Sequence, residues 1–368
     1  MTKILLVGGT WVANSNETPH KSSIVRKMKY RMENNTGIEC TTYNGGNYTD
    51  LVDILNETPK ADITIWMPNV PDNDLPKLRN VKAVAPHTIL ITSKRNDNNK
   101  YSFGEIIQRA LGSKSNLLIE FRKTGAWFEM SILDPLGNEW YNGTDIDQMV
   151  DVLLERALFL KNIQRQGTIP EKLVKPELDS SMDEFIDIVQ KCGKVFAEYT
   201  PSANNTTRLL GNCSTSNPTR CTKGFPTMRS GDIIFVSERN IDKTALNKNN
   251  LVPVLFDGQN IKYDGKKPSV DTPIQVRLYK YLPNINYMIH SHCYIKDAPF
   301  TDTCIPCGGL EEVKEILKVV DKGVLGRNTL FFAVNLKGHG SIVMANSLSF
   351  LENIEESYYA RNFPEKQY

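Results

Sequence analysis

No apolar run in this chain is long enough to span a bilayer, which excludes a membrane-embedded helical protein. An excess of either charge is missing too: 44 Lys+Arg stand against 42 Asp+Glu, a net charge of +2. That balance points away from nucleic acid and from acidic membrane surfaces as partners. Internal repeats and low-complexity tracts are absent. Cysteines number seven, and Cys304-Ile-Pro-Cys307 lacks the second pair that a zinc ribbon needs. The opening stretch reads as a first strand rather than a secretory leader. With an odd cysteine count, this leads to the expectation of reduced thiols in a cytoplasmic protein. A complete Gly-x-Gly-x-x-Gly is also missing; only Gly8-Gly9 follows the first strand. Histidine is scarce, five residues, and three of them fall at or beyond position 290.

What is present suggests two domains. Length alone, 368 residues, fits about two. Through residue 165, strand-like stretches (Lys3–Val7, Ile38–Tyr43, Asp62–Met67, Thr88–Thr92, Asn116–Phe121) alternate with helical patterns such as Ser22–Met32 and Ser102–Leu111. Such alternation indicates an α/β domain with a mainly parallel, three-layer sheet. Trp127–Leu133 and Glu139–Tyr141 flank a turn, predicting a hairpin on one edge. Asp145–Lys161 is an amphipathic helix with Asp145 as N-cap. Two prolines and a glycine between Gln166 and Pro176 mark a boundary. The expected domains are 1–165 and 177–368. The second opens with a helix, Met182–Tyr199, then mixes strands with helices near Gly309–Val320 and from Ser347 to about Asn362.

The chemistry concentrates in this second part. In His290-Ser291-His292, at the end of an apolar, strand-forming stretch, residues i and i+2 share a face. Both rings therefore point the same way, spaced to grip one ion. His339 follows a second apolar run, Leu330–Leu336, between Gly338 and Gly340, where the backbone can turn tightly. Three neutral imidazoles with an open position suit catalytic zinc, or another divalent ion such as Mn2+. Asp271 also reads as the N-cap of a helix starting near Pro273.

Residues 180–365 resemble the class II aldolase/adducin family, and most closely its L-ribulose-5-phosphate 4-epimerase and L-fuculose-phosphate aldolase branches. The resemblance rests on Lys266-Lys-Pro-Ser-Val-Asp-Thr-Pro273, on Tyr279, and on Pro283-Asn-Ile-Asn-Tyr-Met-Ile-His-Ser-His292, with ungapped spacing from the acidic residue to the histidines. Ile305-Pro-Cys307, Gly338-His339-Gly340 and Gly211-Asn212-Cys213-Ser214 match further landmarks. It implies a class II aldolase-like α/β/α domain with His290, His292 and His339 as metal ligands. Asp271 would be the acidic residue beside the metal, an aspartate as on the epimerase side of the family. Asp302, with Asp297 as the other choice, and Tyr358, with Tyr359 as the other choice, would be further acid/base groups. Asn212, Ser214 and Ser269 would contact the substrate. The family's Ser-Gly turn is replaced by Val236-Ser-Glu-Arg239 and its second serine by Val270, so Arg239 or Arg220 would take over an anion. The implied activity is a zinc-dependent aldolase- or epimerase-type lyase on a sugar-like hydroxycarbonyl compound, phosphorylated or not. A keto-sugar-phosphate dehydratase is an alternative, as is an adducin-like interaction module without catalysis. The resemblance also implies a homotetramer.

In the N-terminal part, Val7-Gly8-Gly9-Thr10 after the first strand suggests a Rossmann- or flavodoxin-like domain. Glycines permit close approach of a phosphate, and His20, Ser22 and Ser23 would line the same crevice. No ligand is assigned to it. His87, after a proline, is expected on the surface.

Overall fold

The computed structural model describes the chain apart from residues 9–22, 45–47, 59, 68–80, 125–126, 175–177, 179–180, 200–211, 217–232, 324–329 and 362–368. It divides into two compact units, one containing Met1–Asn162 and the other Ile163–Asn362. Among the described residues no helix is long and apolar enough to cross a membrane.

The first unit carries strands β1 (Thr2–Gly8), β2 (Ile38–Asn44), β3 (Ile63–Met67), β4 (Ile89–Arg95), β5 (Leu117–Thr124), β6 (Trp127–Leu133) and β7 (Glu139–Gly143). Its helices are α1 (Ser23–Glu33), α2 (Tyr48–Glu57), α3 (Val81–Val84), α4 (Phe103–Ser113) and α5 (Ile146–Asn162). The sheet runs β2-β1-β3-β4-β5-β6-β7, parallel through β5 and antiparallel across the last two strands. Strand β3 is buried along its whole length, as expected of a parallel strand covered on both faces. α1 and α5 pack on one face through Met28, Met32, Leu153 and Ala157. α2, α3 and α4 cover the other through Leu51, Leu55, Val81 and Ile107. The result is the expected three-layer architecture, with the β6–β7 hairpin at one edge. Local chemistry sets the helix starts. Ser102 and Glu105 form a capping box on α4, and Asp145 Oδ1 accepts from the amides of Asp147 and Gln148 to cap α5. The order β2-β1-β3 places the topological switch point between β1 and β3. Gly9, Thr10, His20 and Ser22 lie outside the described residues, while His87 is exposed in a turn.

The second unit starts with β8 (Thr168–Pro170) and α6 (Ser181–Tyr199). Then come β9 (Asn212–Ser216), β10 (Ile233–Ser237), β11 (Leu251–Phe256) and β12 (Ile261–Tyr263). They are followed by α7 (Thr272–Tyr281), β13 (Tyr287–Ser291), β14 (Tyr294–Ile295) and α8 (Glu311–Lys322). β15 (Phe331–Leu336), β16 (Gly340–Ala345) and β17 (Tyr358–Tyr359) complete it. An eight-stranded, mostly antiparallel sheet runs β15-β16-β13-β9-β10-β11-β12-β8. Side chains alternate across it, so Ile289, Val343 and Ala345 pack under α6, while Met288, Ile342 and Met344 pack under α7 and α8. This is the expected α/β/α layering.

Two details differ from the sequence reading. Part of the Gln166–Pro176 stretch is an edge strand, β8, which pairs in parallel with β12 and ends at Pro170, a residue tolerated where the ladder stops. The expected helix from Ser347 to Asn362 is replaced by two short 3-10 turns, Leu348–Leu351 and Ile354–Ser357, followed by β17. Asn353, at φ 58° in the left-handed region, breaks the helical path between them.

Candidate metal centre

His290 sits on β13, a central strand paired with β16 on one side and β9 on the other. Its Nδ1 lies 2.9 Å from the Ser341 carbonyl oxygen. A carbonyl only accepts, so Nδ1 carries the proton and Nε2 presents a lone pair. That Nε2 is buried and has no hydrogen-bond partner. His292, two residues on, is also buried, and its Nδ1 likewise has no hydrogen-bond partner.

His339 arrives from the turn joining β15 to β16, next to β13 in the sheet. Its amide closes the turn on the Leu336 carbonyl. Gly340 then runs so close to β13 that a Cβ there would stand 1.9 Å from the Ser291 oxygen and 2.7 Å from His292 Cα. Only glycine lets the two histidine-bearing segments approach this far.

The three rings converge, with centroids 4.7 to 5.3 Å apart and one ligand nitrogen from each within 4.8 Å of the others. All three are buried. Burial first, and then the neighbouring His339, pushes His290 down to about 4. Burial and the adjacent His290 hold His292 well below its ordinary value. Both are therefore neutral near pH 7, the form that ligates a metal. His339 differs. Burial alone would lower it, but Cys307 and Glu312 together outweigh burial and raise it well above its usual value. Its Nδ1 is 2.8 Å from Glu312 Oε1, and its Nε2 is 3.2 Å from Cys307 Sγ. Glu312 is itself raised by burial and drawn back by His339. A carboxylate on the far nitrogen of an imidazole is the arrangement that orients metal-binding histidines.

Asp271 occupies the expected N-cap position of α7, but its side chain makes no capping hydrogen bond. The backbone oxygen accepts from the Ile274 and Gln275 amides instead, which frees the carboxylate for tertiary contacts. Oδ1 accepts from the Gly308 amide at 2.9 Å, and Oδ2 lies 3.8 Å from His290 Nε2. Asp271, Cys307 and His339 form a second set of three donor atoms within 4.8 Å of one another.

The remaining sequence candidates divide. Ser269 and Arg239 come near Asp271. The Ser269 hydroxyl accepts from the Asp271 amide, and Arg239 Nε donates to the Pro268 carbonyl while its charge interacts with Asp271. Glu238 is paired with Lys266 at 3.0 Å. The Ser214 hydroxyl is buried against Tyr279 Oη at 3.1 Å. Asp302 and Asp297 are exposed. Tyr358 lies on the α6 side of the sheet, buried edge-on against Phe196, in the core opposite the α7–α8 face. Alternation along β13 places His290 on the Met288 side, so Tyr358 is not brought to the histidines. The side chain of Asn212, and Arg220, lie outside the described residues.

Sequence reasoning missed Glu312 and the placement of Cys307 beside His339. Glu312 lies in the first turn of α8, where a carboxylate ordinarily answers the helix dipole, so nothing local marked it.

Residues 200–295 match the family Class II Aldolase and Adducin N-terminal domain. The C-terminal half therefore carries a class II aldolase/adducin domain. The match spans Ser269, Asp271, His290 and His292 and ends before Cys307, Glu312 and His339. Among solved structures, the chain is similar to the DNA/pantothenate metabolism flavoprotein from Streptococcus pneumoniae at 11% identity, covering 44% of this chain and 100% of that one, with a TM-score of 0.33. It is also similar to a lysine decarboxylase from Francisella novicida at 8% identity, covering 55% of this chain and 20% of that one, with a TM-score of 0.27.

Proposed function

We propose that the C-terminal unit is a divalent-metal-dependent lyase of the aldolase or epimerase type, acting on a sugar-like hydroxycarbonyl compound, with His290, His292 and His339 as the ligands. One observation carries the reading: three buried imidazoles converge, and two of them present ring nitrogens that no protein group satisfies. Burying such nitrogens unpaired costs on the order of 1–3 kcal/mol each, a cost that ligation removes.

When bound, the ion supplies Lewis-acid stabilisation for the negative charge that develops as a bond next to a carbonyl breaks. The chain's own residues supply the rest. Glu312 fixes the His339 ring and leaves Nε2 facing inward. Asp271 has one oxygen held by the Gly308 amide and the other directed at the cluster, which suits it to carry a proton to or from substrate carbon or oxygen. Ser269 and Arg239 give the Asp271 side of the site polar character, and Lys266 removes the repulsion that Glu238 would offer an anionic substrate.

The test is a screen of keto-sugars, with and without phosphate, against zinc-loaded wild-type protein and Asp271→Asn. The expectation is turnover by the wild type and a loss of about 10²- to 10⁴-fold in the variant at unchanged metal content. Full activity in Asp271→Asn would remove this residue from the mechanism.

A further inference from the structure

We infer that Cys307 is a fourth protein donor to this metal centre, so that the substrate-free protein holds its ion through three imidazoles and one thiolate. The inference rests on the three-histidine reading above and adds to it the identity of the ion. Cys307 Sγ lies 3.2 Å from His339 Nε2. With Zn–N near 2.0–2.1 Å and Zn–S near 2.3 Å, adjacent nitrogen and sulfur ligands of a tetrahedral zinc stand about 3.5 Å apart. The observed separation is close to that edge before any adjustment.

The loop holding the sulfur is tied to the site from the other side. Gly308, at φ +74°, gives its amide to Asp271 Oδ1. A Cβ on Gly308 would come within 3.2 Å of Val270. The turn after Cys307 is thus seated against the Val270–Asp271 segment. His339 belongs both to the three-histidine set and to the Asp271–Cys307 set, whereas Cys307 is not in the three-histidine set. The sulfur therefore adjoins the cluster at His339 and joins the other two rings on one ion by a side-chain adjustment.

A different reading of the same atoms is an activated thiol, because Cys307, His339 and Glu312 line up as nucleophile, base and orienting carboxylate. The neighbouring amides weigh against it. Gly308 N–H is committed to Asp271 and Gly309 N–H to the Pro306 carbonyl, so neither is free to receive an acyl oxyanion beside the sulfur. The imidazole nitrogen that Sγ meets is also the one left for an ion once Glu312 has taken Nδ1. Ligation releases the thiol proton to solvent and leaves a soft thiolate, which selects zinc over manganese or magnesium.

The experiment titrates chelator-stripped full-length protein with Co(II) and records the absorption spectrum. Wild type should bind one equivalent and show a near-ultraviolet thiolate-to-cobalt charge-transfer band beside the visible ligand-field bands. Cys307→Ser should lose the near-ultraviolet band, keep visible bands from the histidines, and bind zinc more weakly by about 10- to 100-fold, at least the loss typical of an outer-shell partner. Cys304→Ser should keep the near-ultraviolet band. Stoichiometric cobalt without that band in wild type, or the band persisting in Cys307→Ser, would overturn the ligand role while leaving the three-histidine centre standing. Failure of wild type to bind cobalt at all would overturn both.

Discussion

Gly340 offers the sharpest structural test of how the centre is assembled. Replacing it with alanine puts a Cβ 1.9 Å from the Ser291 oxygen and 2.7 Å from His292 Cα. Both contacts are backbone atoms, so no side-chain rotation relieves them. β16 must move away from β13 by about 1.5 Å to restore ordinary contact. That shift stretches the His290 Nδ1–Ser341 O and Ser291 Oγ–Ser341 Oγ hydrogen bonds, each 2.9 Å, which are worth about 1 kcal/mol apiece. It also disturbs Ile342, Val343 and Met344, which are fully or almost fully buried. Together these effects should cost about 3–5 kcal/mol, the range reserved for severe core lesions. For a domain of this size, that lowers the melting temperature by roughly 10 °C. Gly104→Ala is the control: its Cβ meets nothing within 4 Å, and it lies inside α4. Alanine there should stabilise by about 0.5–1 kcal/mol. Thermal unfolding followed by circular dichroism, with zinc content measured on the same samples, reads both variants. If Gly340→Ala melts with the wild type and keeps its zinc, the close approach of β13 and β16 is not what builds the site.

Two further outcomes follow from the same geometry. Glu312→Gln keeps an acceptor for His339 Nδ1 but removes its charge, and should weaken zinc binding by about 10- to 100-fold in a chelator competition assay; unchanged affinity would mean that Glu312 does not tune the ligand. Tyr358→Phe removes a buried hydroxyl that has no hydrogen-bond partner. It should leave stability within about 1 kcal/mol of wild type, or raise it, with zinc content and activity unaffected; a selective loss of activity would return Tyr358 to the site.

The legible parts of this protein were those governed by short-range periodicity. Strand alternation placed His290 and His292 on one face because a period of two needs no tertiary knowledge. Glycines on either side of His339 announced a tight turn, although not that Gly340 would lie against the Ser291 oxygen of a neighbouring strand. Tertiary contacts account for what stayed hidden. Asp271 precedes Thr272-Pro273 in the pattern of a cap, yet its carboxylate is drawn to the Gly308 amide, 37 residues away. Glu312 looks like a dipole-compensating carboxylate until the sheet brings His339 to it, 27 residues along the chain. Cys307 seemed half of an incomplete cysteine pair, because its real neighbours are a histidine and an aspartate. The Ser347–Asn362 segment carries helical composition, but Asn353 in the left-handed region divides it into two turns. Tyr358, implied by resemblance as an acid/base group, packs within this chain on the α6 side of the sheet, opposite the face that carries His290.

The central claim is that His290, His292 and His339 together hold one divalent ion. Its most direct test is the metal content of purified protein by plasma mass spectrometry, for wild type and for the His290→Ala/His292→Ala double variant. The account predicts close to one zinc per chain in the wild type and almost none in the variant, with the variant still folded by circular dichroism. Wild-type protein without metal after purification in zinc-supplemented buffer, or a double variant that keeps its zinc, would contradict it.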